Sequence, residues 1–359
     1  MTQGVILLAH GSGGKLSHDL VEQLFLRHFT SPALLNLDDS AILEIQNPSP
    51  EGDLCKSRIS VPHASGGQNA RLAFTTDSYV VSPLFFPGGD IGKLAVCGTV
   101  NDLSMSGARP LWLSAGFIIE EGLPLADLER VVASMAATAE QAGVQIVTGD
   151  TKVVDRGSAD RLFINTAGVG LLRPGVEIGG DRARPGDAVL LSGTIGDHGM
   201  TIMTHREGLR FDSPLASDCA PLNGLVAVLL AAVPGMVHCL RDPTRGGLAT
   251  TLNELAGRSR AGIAIDETAV PVSEAVRAAC ELLGLDPLYV ANEGKLVAIV
   301  APEAAEAALA ALRAHEYGRQ AAIVGQVTGT HLGRVVLRTA LGARRVVDML
   351  TGEQLPRIC

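Results

Sequence analysis

The sequence predicts an α/β (α+β) protein of two domains followed by a short tail, and three observations carry that expectation. The chain has 359 residues, 47% of them hydrophobic and 19% charged. That composition packs into cores, and the length exceeds one ordinary domain of roughly 100–150 residues. Second, one segment, 172–187 (LRPGVEIGGDRARPGD), is dense in Pro, Gly and charge and divides the chain. Third, both halves mix short apolar runs of strand length with stretches of helical period. The expected division is 1–172, 187–350 and a tail over 351–359.

In the first half Ala73–Thr76, Gln145–Thr148 and Leu162–Ala167 read as strands. Leu128, Val131, Val132, Met135, Ala139 and Ala142 recur at helical spacing, with Gly143 placed as a C-terminal cap. Asp90, after Gly88-Gly89, is placed as the N-cap of a largely buried helix carrying Ile91, Leu94, Ala95, Val100 and Leu103. The polar excursion Gln46–Arg71 reads as a long surface loop. In the second half Ala188–Ser192 and Leu296–Val300 read as buried strands, and Pro302 opens an Ala-rich helix. After Leu350 the run TGEQLPRIC has neither period, and Pro356 disfavours helix before it. Fully extended, this tail spans roughly 30 Å, enough to enter and leave a cleft.

Composition excludes several classes. The net charge is -9, only 3% of residues are aromatic, and no basic run occurs, so nucleic acid is not an expected partner. No apolar run reaches membrane-spanning length and the first residues lack a signal-peptide pattern, so a cytoplasmic protein is expected. The cysteines, Cys55, Cys97, Cys219, Cys239, Cys280 and Cys359, form no CxxC pair, which argues against zinc. Most read as reduced, small core residues. Cys359 differs: it is either an incidental terminal residue or a thiol kept for use. It cannot be a CaaX lipidation site, which requires three further residues, and an exposed thiol is a liability otherwise.

Three apolar runs end in aspartate: Leu34–Leu37 before Asp38 and Asp39, Phe74-Thr75-Thr76 before Asp77, and Ile146–Gly149 before Asp150. Read as strands, these runs place carboxylates at strand ends, and carboxylates brought together by a sheet at ~4 Å repel by about 4 kcal/mol per pair at an effective dielectric of about 20. Such a set needs a cation, and oxygen-only ligands suit Mg²⁺; singly, each Asp could equally start a turn or cap a helix. Asn101-Asp102 lies inside the apolar helix, where a carboxylate is costly unless metal-bound or paired, for instance with Lys93 or Arg109. Lys152 follows Asp150 by two residues and shares its strand face. It could hold phosphate, move a proton, or simply pair with Asp150. Three glycine-rich segments remain: His10–Lys15 (HGSGGK), Gly193–Gly199, and Asp242–Gly247 (DPTRGG) before a helix start, which is an anion site. None is a P-loop or a dinucleotide fingerprint, so ATP binding would require an uncommon fold.

Together these blocks resemble the HypE family of hydrogenase maturation proteins, the carbamoyl dehydratases. The likeness runs end to end. It covers HGSGGK at 10–15, TTDSYVVSPLFFPGGDIGKLAVCGTVNDLSMSGARP at 75–110, GDTKVV at 149–154, SGTIGDHG at 192–199, DPTRGG at 242–247, NEGKL at 292–296, and the ending Pro356-Arg357-Ile358-Cys359. The central blocks are also similar to the wider superfamily of aminoimidazole ribonucleotide synthetase, selenophosphate synthetase and thiamine-monophosphate kinase. The Gln46–Arg71 excursion is longer than the family usually carries.

The resemblance implies an aminoimidazole ribonucleotide synthetase-like fold. In it the N-terminal domains of two subunits pair into a β-barrel at a homodimer interface, with ATP close by. It implies Asp39, Asp77, Asp102 and Asp150 as Mg²⁺ ligands. It implies His10, Gly11, Gly13, Gly14, Lys15, Asn101, Asp150 and Lys152 as nucleotide contacts, and Cys359, Lys152 and Glu293 as catalytic residues. The implied reaction begins with a carbamoyl group delivered to the Cys359 sulfur by a HypF-type carbamoyltransferase. ATP-dependent dehydration, forming ADP and phosphate, then yields a thiocyanate. Its cyanide passes to iron on a HypC–HypD-type scaffold, for [NiFe]-hydrogenase. Two alternatives stand beside it: a selenophosphate synthetase-like enzyme, and a non-catalytic thiol carrier. The first keeps its reactive residue in the N-terminal loop, where this chain has no cysteine before Cys55.

Overall fold

Two sheets, one on each side of the 173–187 segment, organise the computed structural model. It describes residues 6–11, 13–28, 31, 33–45, 70–209, 215–350, 352, 355 and 358. The chain begins with a 3-10 turn, Leu8–Gly11, then α1 (Lys15–Leu20), a π turn (Val21–Phe25) and α2 (Leu26–His28). The first sheet is built from β1 (Ala41–Ile45), β2 (Ala70–Tyr79), β5 (Ala108–Glu120), β6 (Gln145–Val154) and β7 (Leu162–Leu172). A small hairpin of β3 (Phe85–Phe86) and β4 (Gly89–Asp90) leads into α3 (Ile91–Met105), and α4 (Leu125–Ala142) follows β5. The strand order is β1-β2-β7-β5-β6, antiparallel except for β5 against β6.

Side-chain alternation assigns the faces of this sheet. Along β7, Leu162, Ile164, Thr166, Gly168 and Leu172 are buried, and Thr166 donates its hydroxyl to the Ala95 carbonyl of α3 at 3.0 Å. In β2, Ala73, Thr75 and Tyr79 are buried while Phe74, Thr76 and Ser78 are exposed. The face turned away from α3 is uncovered: Phe74, Trp112 and Ile118 are 44%, 46% and 44% exposed. The edge strand β6 is exposed along almost its whole length.

Helix α3 starts as the sequence predicts. Asp90 Oδ1 accepts the N–H groups of Gly92 and Lys93 at 2.8 and 3.1 Å. It is buried nearly all round, because its other sides meet the second half, at the helix Asn223–Ala232 and the strand Val237–Arg241. Helix α4 is amphipathic, burying Val131, Met135, Ala139 and Ala142, and Gly143 ends it at φ 68°.

The second half contains β8 (Ala188–Leu191), α5 (Asp197–Arg206), α6 (Asn223–Ala232), β9 (Val237–Arg241), α7 (Gly247–Ser259), β10 (Gly262–Asp266), α8 (Glu274–Leu283), β11 (Val297–Val300), α9 (Ala305–Ala314), β12 (Ala322–Thr328), β13 (Val335–Arg338) and β14 (Arg344–Val347). The sheet order is β14-β13-β10-β12-β8-β11-β9. Strands β8 and β11 are buried on both faces, which is why they read as unbroken apolar runs. Val189 and Leu191 join the core under α7, whereas Ala188 and Leu190 join the core under α6 and α9.

Three expectations are corrected. The run Leu34–Leu37 is not a strand: Leu34–Asn36 is a 3-10 turn, so Asp38 and Asp39 precede β1 instead of ending a strand. Pro302 opens a 3-10 turn, Pro302–Ala304, and α9 begins only at Ala305. The expected loop overlaps β2 at Ala70 and Arg71, and its residues 46–69 lie outside the described part. In the tail, Leu355 and Ile358 are 9% and 5% exposed, and Ile358 forms an antiparallel bridge with Val81. Among the described residues, no helix is long and apolar enough to cross a membrane.

Candidate active site

Four parts of the chain bring carboxylates to one cleft of about 400 Å³. Asp39 comes from the turn before β1, Asp77 from β2, Asp102 from α3, and Asp242 from the end of β9; Glu293, ahead of β11, also lines it. Asp39, Asp102 and Asp242 each offer an oxygen within 4.8 Å of the others. Thr75 ties the group together. Its hydroxyl lies 3.0 Å from Asp102 Oδ2 and 2.8 Å from the Asp39 carbonyl oxygen.

Crowding in a desolvated place sets the charges. Burial, opposed by Arg241 and reinforced by Asp242, pushes Asp39 up to about 8. Burial, again opposed by Arg241, pushes Asp242 up to about 6. Burial and the neighbouring Asp242 and Asp77 hold Asp102 well above the usual carboxylate range. Among the described residues Asp102 pairs with neither Lys93 nor Arg109. Burial also holds Glu293 well above its usual range. A set of oxygen donors crowded together in a desolvated place fits a hard divalent cation.

One cation already sits at the rim. Arg241 Nε lies 3.0 Å from Asp39 Oδ1, and its Nη2 lies 2.8 Å from Glu254 Oε2. Glu254 Oε1 in turn is 2.7 Å from His18 Nε2 of α1. This contact raises the His18 pKa above its ordinary value, against the effect of burial. Arg245 reaches the Gly11 carbonyl at 3.2 Å and Asp77 Oδ1 at 3.8 Å. The N-terminal segment is thus held against the cleft by ion pairs to the second half.

The structure brings some of the expected residues together and separates others. Asp39, Asp77, Asp102 and Glu293 share the cleft, and Gly13 lines it. His10 turns its ring onto the Leu7 backbone at 2.9 Å. Lys15 donates its backbone N–H to the Leu350 carbonyl at 2.9 Å, and Gly14 sits hard against that same carbonyl. Asn101 is 1% exposed. Its amide is taken by protein, receiving Leu222 N–H at 2.7 Å and donating to Ala220 and Glu293 carbonyls at 3.1 and 3.3 Å. It braces the segment around Glu293.

Asp150 and Lys152 stand apart in this chain. Asp150 lies opposite Gly116, which lies opposite Asn165, which lies opposite Ser78. Three strand spacings of ~4.8 Å put it about 14 Å from β2. Both residues are exposed, on the edge strand. Cys359 lies outside the described residues.

The sequence reading missed Asp242 as a member of the carboxylate cluster and Arg241, Glu254 and His18 as the ion-paired groups at its rim. Asp242 carries only a weaker form of the signal, since the strand Val237–Arg241 that runs into it includes His238 and Arg241. The glycines that follow drew attention to anion binding instead.

Family comparisons agree with this construction. Residues 38–172 match the AIR synthase related protein N-terminal domain, and residues 184–338 its C-terminal domain. Over all 359 residues the chain is 55% identical to carbamoyl dehydratase HypE of Azotobacter vinelandii, covering 100% of this chain and 98% of that one. This chain belongs to the HypE family. A crystal structure of a HypE in complex with ATP superposes with a TM-score of 0.78 at 54% identity, covering 99% of this chain and 100% of that one. A HypE–HypF complex gives a TM-score of 0.81 at 48% identity, covering 92% and 99%. The HypE relatives thus share the mixed α/β architecture with the chain.

Proposed function

We propose that this chain is an ATP-dependent carbamoyl dehydratase of hydrogenase maturation, converting an S-carbamoyl group on Cys359 to a thiocyanate. The observation that carries this is the clustered Asp39, Asp102 and Asp242 beside Glu293, in a chain of the HypE family. Asp39, Asp102 and Asp242, with Asp77 beside them, would hold Mg²⁺. When bound, the ion supplies charge stabilisation to phosphoryl oxygens. Glu293, buried next to this cluster, is suited to take the N–H proton from the carbamoyl nitrogen. Gly13 and the His10–Lys15 stretch cover the phosphates from the side held by Arg245. Carrying the substrate on the chain makes the reaction intramolecular, where effective molarities can reach ~10⁵–10⁸ M.

The same reading makes the protein a cytoplasmic homodimer. The uncovered face bearing Phe74, Trp112 and Ile118 needs a partner layer, and pairing two such sheets closes a barrel. Asp150 and Lys152, on the exposed edge of that sheet, are then supplied to the cleft by the second copy. The tail carrying Cys359 leaves the body to meet a HypF-type carbamoyl donor and a HypC–HypD-type iron acceptor, and the halves 1–172 and 187–350 act as the two domains.

Mass spectrometry of the peptide containing Cys359 tests the reaction. With carbamoyl phosphate, ATP and the transferase, a carbamoyl adduct on Cys359 should form and then lose one water as ADP appears. An adduct on Cys97 or Cys219 instead, or AMP as the final nucleotide, overturns the reading.

A further inference from the structure

The seat of the tail contains a histidine that no step above uses. His198 is 0% exposed. Its Nε2 lies 2.6 Å from the Ile358 carbonyl oxygen and its Nδ1 lies 2.7 Å from Ser217 Oγ. A carbonyl only accepts, so Nε2 carries the proton and Nδ1 accepts from the Ser217 hydroxyl. That leaves Ser217 Oγ free to accept the Cys219 N–H at 3.1 Å. Every polar atom of the set is therefore satisfied by one neutral tautomer. Burial lowers the ring's pKa, which keeps it in that form, and Phe86 packs edge-on with ring centroids 5.6 Å apart.

The seat is shaped as well as hydrogen-bonded. Ile358 bridges Val81 and joins the core that includes Met200 and Val290. Leu355 lies over Gly199, where an added Cβ would come within 3.1 Å of the Leu355 side chain. The seat also touches the cleft wall. Ser217 is followed by Asp218, whose carboxylate accepts the Glu293 and Gly294 N–H groups at 3.0 and 3.2 Å.

We propose that His198 is a positioning residue for the reaction at Cys359: by holding the Ile358 carbonyl it fixes the chain one residue short of the thiol, against the segment that also braces Glu293. The inference rests on the reading that Cys359 carries the reacting group. Its structural half does not, and the test separates the two.

In the full-length protein, trypsin should cut after Arg357 slowly, because Ile358 is bridged and buried. His198→Leu should speed release of the peptide beginning at Ile358 by about three- to tenfold, the factor one hydrogen bond is worth. His198→Gln, whose amide N–H stands in for Nε2, should restore most of the protection. Ser217→Ala, which leaves the ring but frees its tautomer, should give a smaller increase and serves if the Leu variant does not fold. In the same proteins, carbamoyl acceptance at Cys359 should persist while dehydration slows by a similar factor in the Leu variant and recovers in the Gln variant. Cleavage at the wild-type rate in folded His198→Leu and Ser217→Ala overturns the seat. Faster cleavage with unchanged dehydration overturns the positioning role. If wild-type protein never carries a carbamoyl group on Cys359, the functional reading falls, while cleavage still decides the seat.

Discussion

Asp242 and Asp38 make a useful contrast, since both are aspartates near the cleft with different surroundings. Asp38 is paired with Arg258 at 2.7 Å and has no place in the three-oxygen cluster. Asp242 belongs to that cluster and is raised by burial to about 6. Asp242→Asn should therefore weaken Mg²⁺-dependent stabilisation, followed as the shift in thermal midpoint with added Mg²⁺. Loss of groups one shell outside a metal commonly costs 10–100-fold in affinity, so loss of a ligand should cost about tenfold or more. Asp38→Asn should leave the Mg²⁺ response unchanged; equal responses in both variants would contradict the ligand assignment. His18 offers a second residue-level check. Glu254 raises its pKa in the folded protein above the unfolded value of about 6.5. The folded state then binds a proton that the unfolded state releases, so the stabilisation is fully present below about pH 6.5 and disappears as pH rises through the folded pKa. An NMR titration should find His18 above about 6.5 in the intact protein and lower in Glu254→Gln; a value at or below it in the intact protein refutes the pairing.

At the scale of elements, α3 shows what pattern alone can and cannot give. Its cap, its apolar composition and the oddity of Asp102 within it were all legible, because each is a local property of the sequence. Its burial on every side was not specified, since that depends on a second half that begins more than 80 residues later. The cap is testable directly: Asp90→Ala should cost about 1–2 kcal/mol, and Asp90→Ser much less, read from urea midpoints. Strands β8 and β11 were legible for the same local reason, an unbroken apolar run. The segment before β1 misled, because Leu34–Leu37 has the composition of a strand but Leu37 takes a positive φ of 49° and the chain turns there. The rim of the cleft was hidden for a different reason. His18 and Glu254 are 236 positions apart, and nothing local in either segment announces an ion pair across that distance. In β6 the residue types were noticed but the exposure was not, because Gln145–Thr148 has the same apolar look whether or not a layer covers it.

For the whole molecule, the distance between Asp150 and β2 is the decisive quantity. A single chain that holds Asp39, Asp102, Asp242 and Glu293 in one cleft, and Lys152 about 14 Å of sheet away, cannot complete the proposed site alone. A homodimer paired through the uncovered sheet face can, with each site drawing its cluster from one copy and Lys152 from the other. This arrangement predicts complementation. Lys152→Ala and Asp242→Asn should each be inactive in dehydration. When the two variants are unfolded, mixed in equal amounts and refolded, half of the dimers are mixed, and each mixed dimer regains one intact site. Activity should return to about a quarter of the wild-type level, the value that random pairing in a two-fold dimer gives. A mixture that stays inactive although mixed dimers are detected by native mass spectrometry would mean that Lys152 serves the cleft of its own chain. The edge strand would then have to move across the sheet, and the separation seen here would describe a resting form. The double variant Lys152→Ala/Asp242→Asn, refolded with wild type, fixes the reference. In its mixed dimers each site lacks one of the two groups, so about a quarter of the activity should remain, all of it from wild-type pairs, whereas a Lys152 that serves its own chain would leave about half.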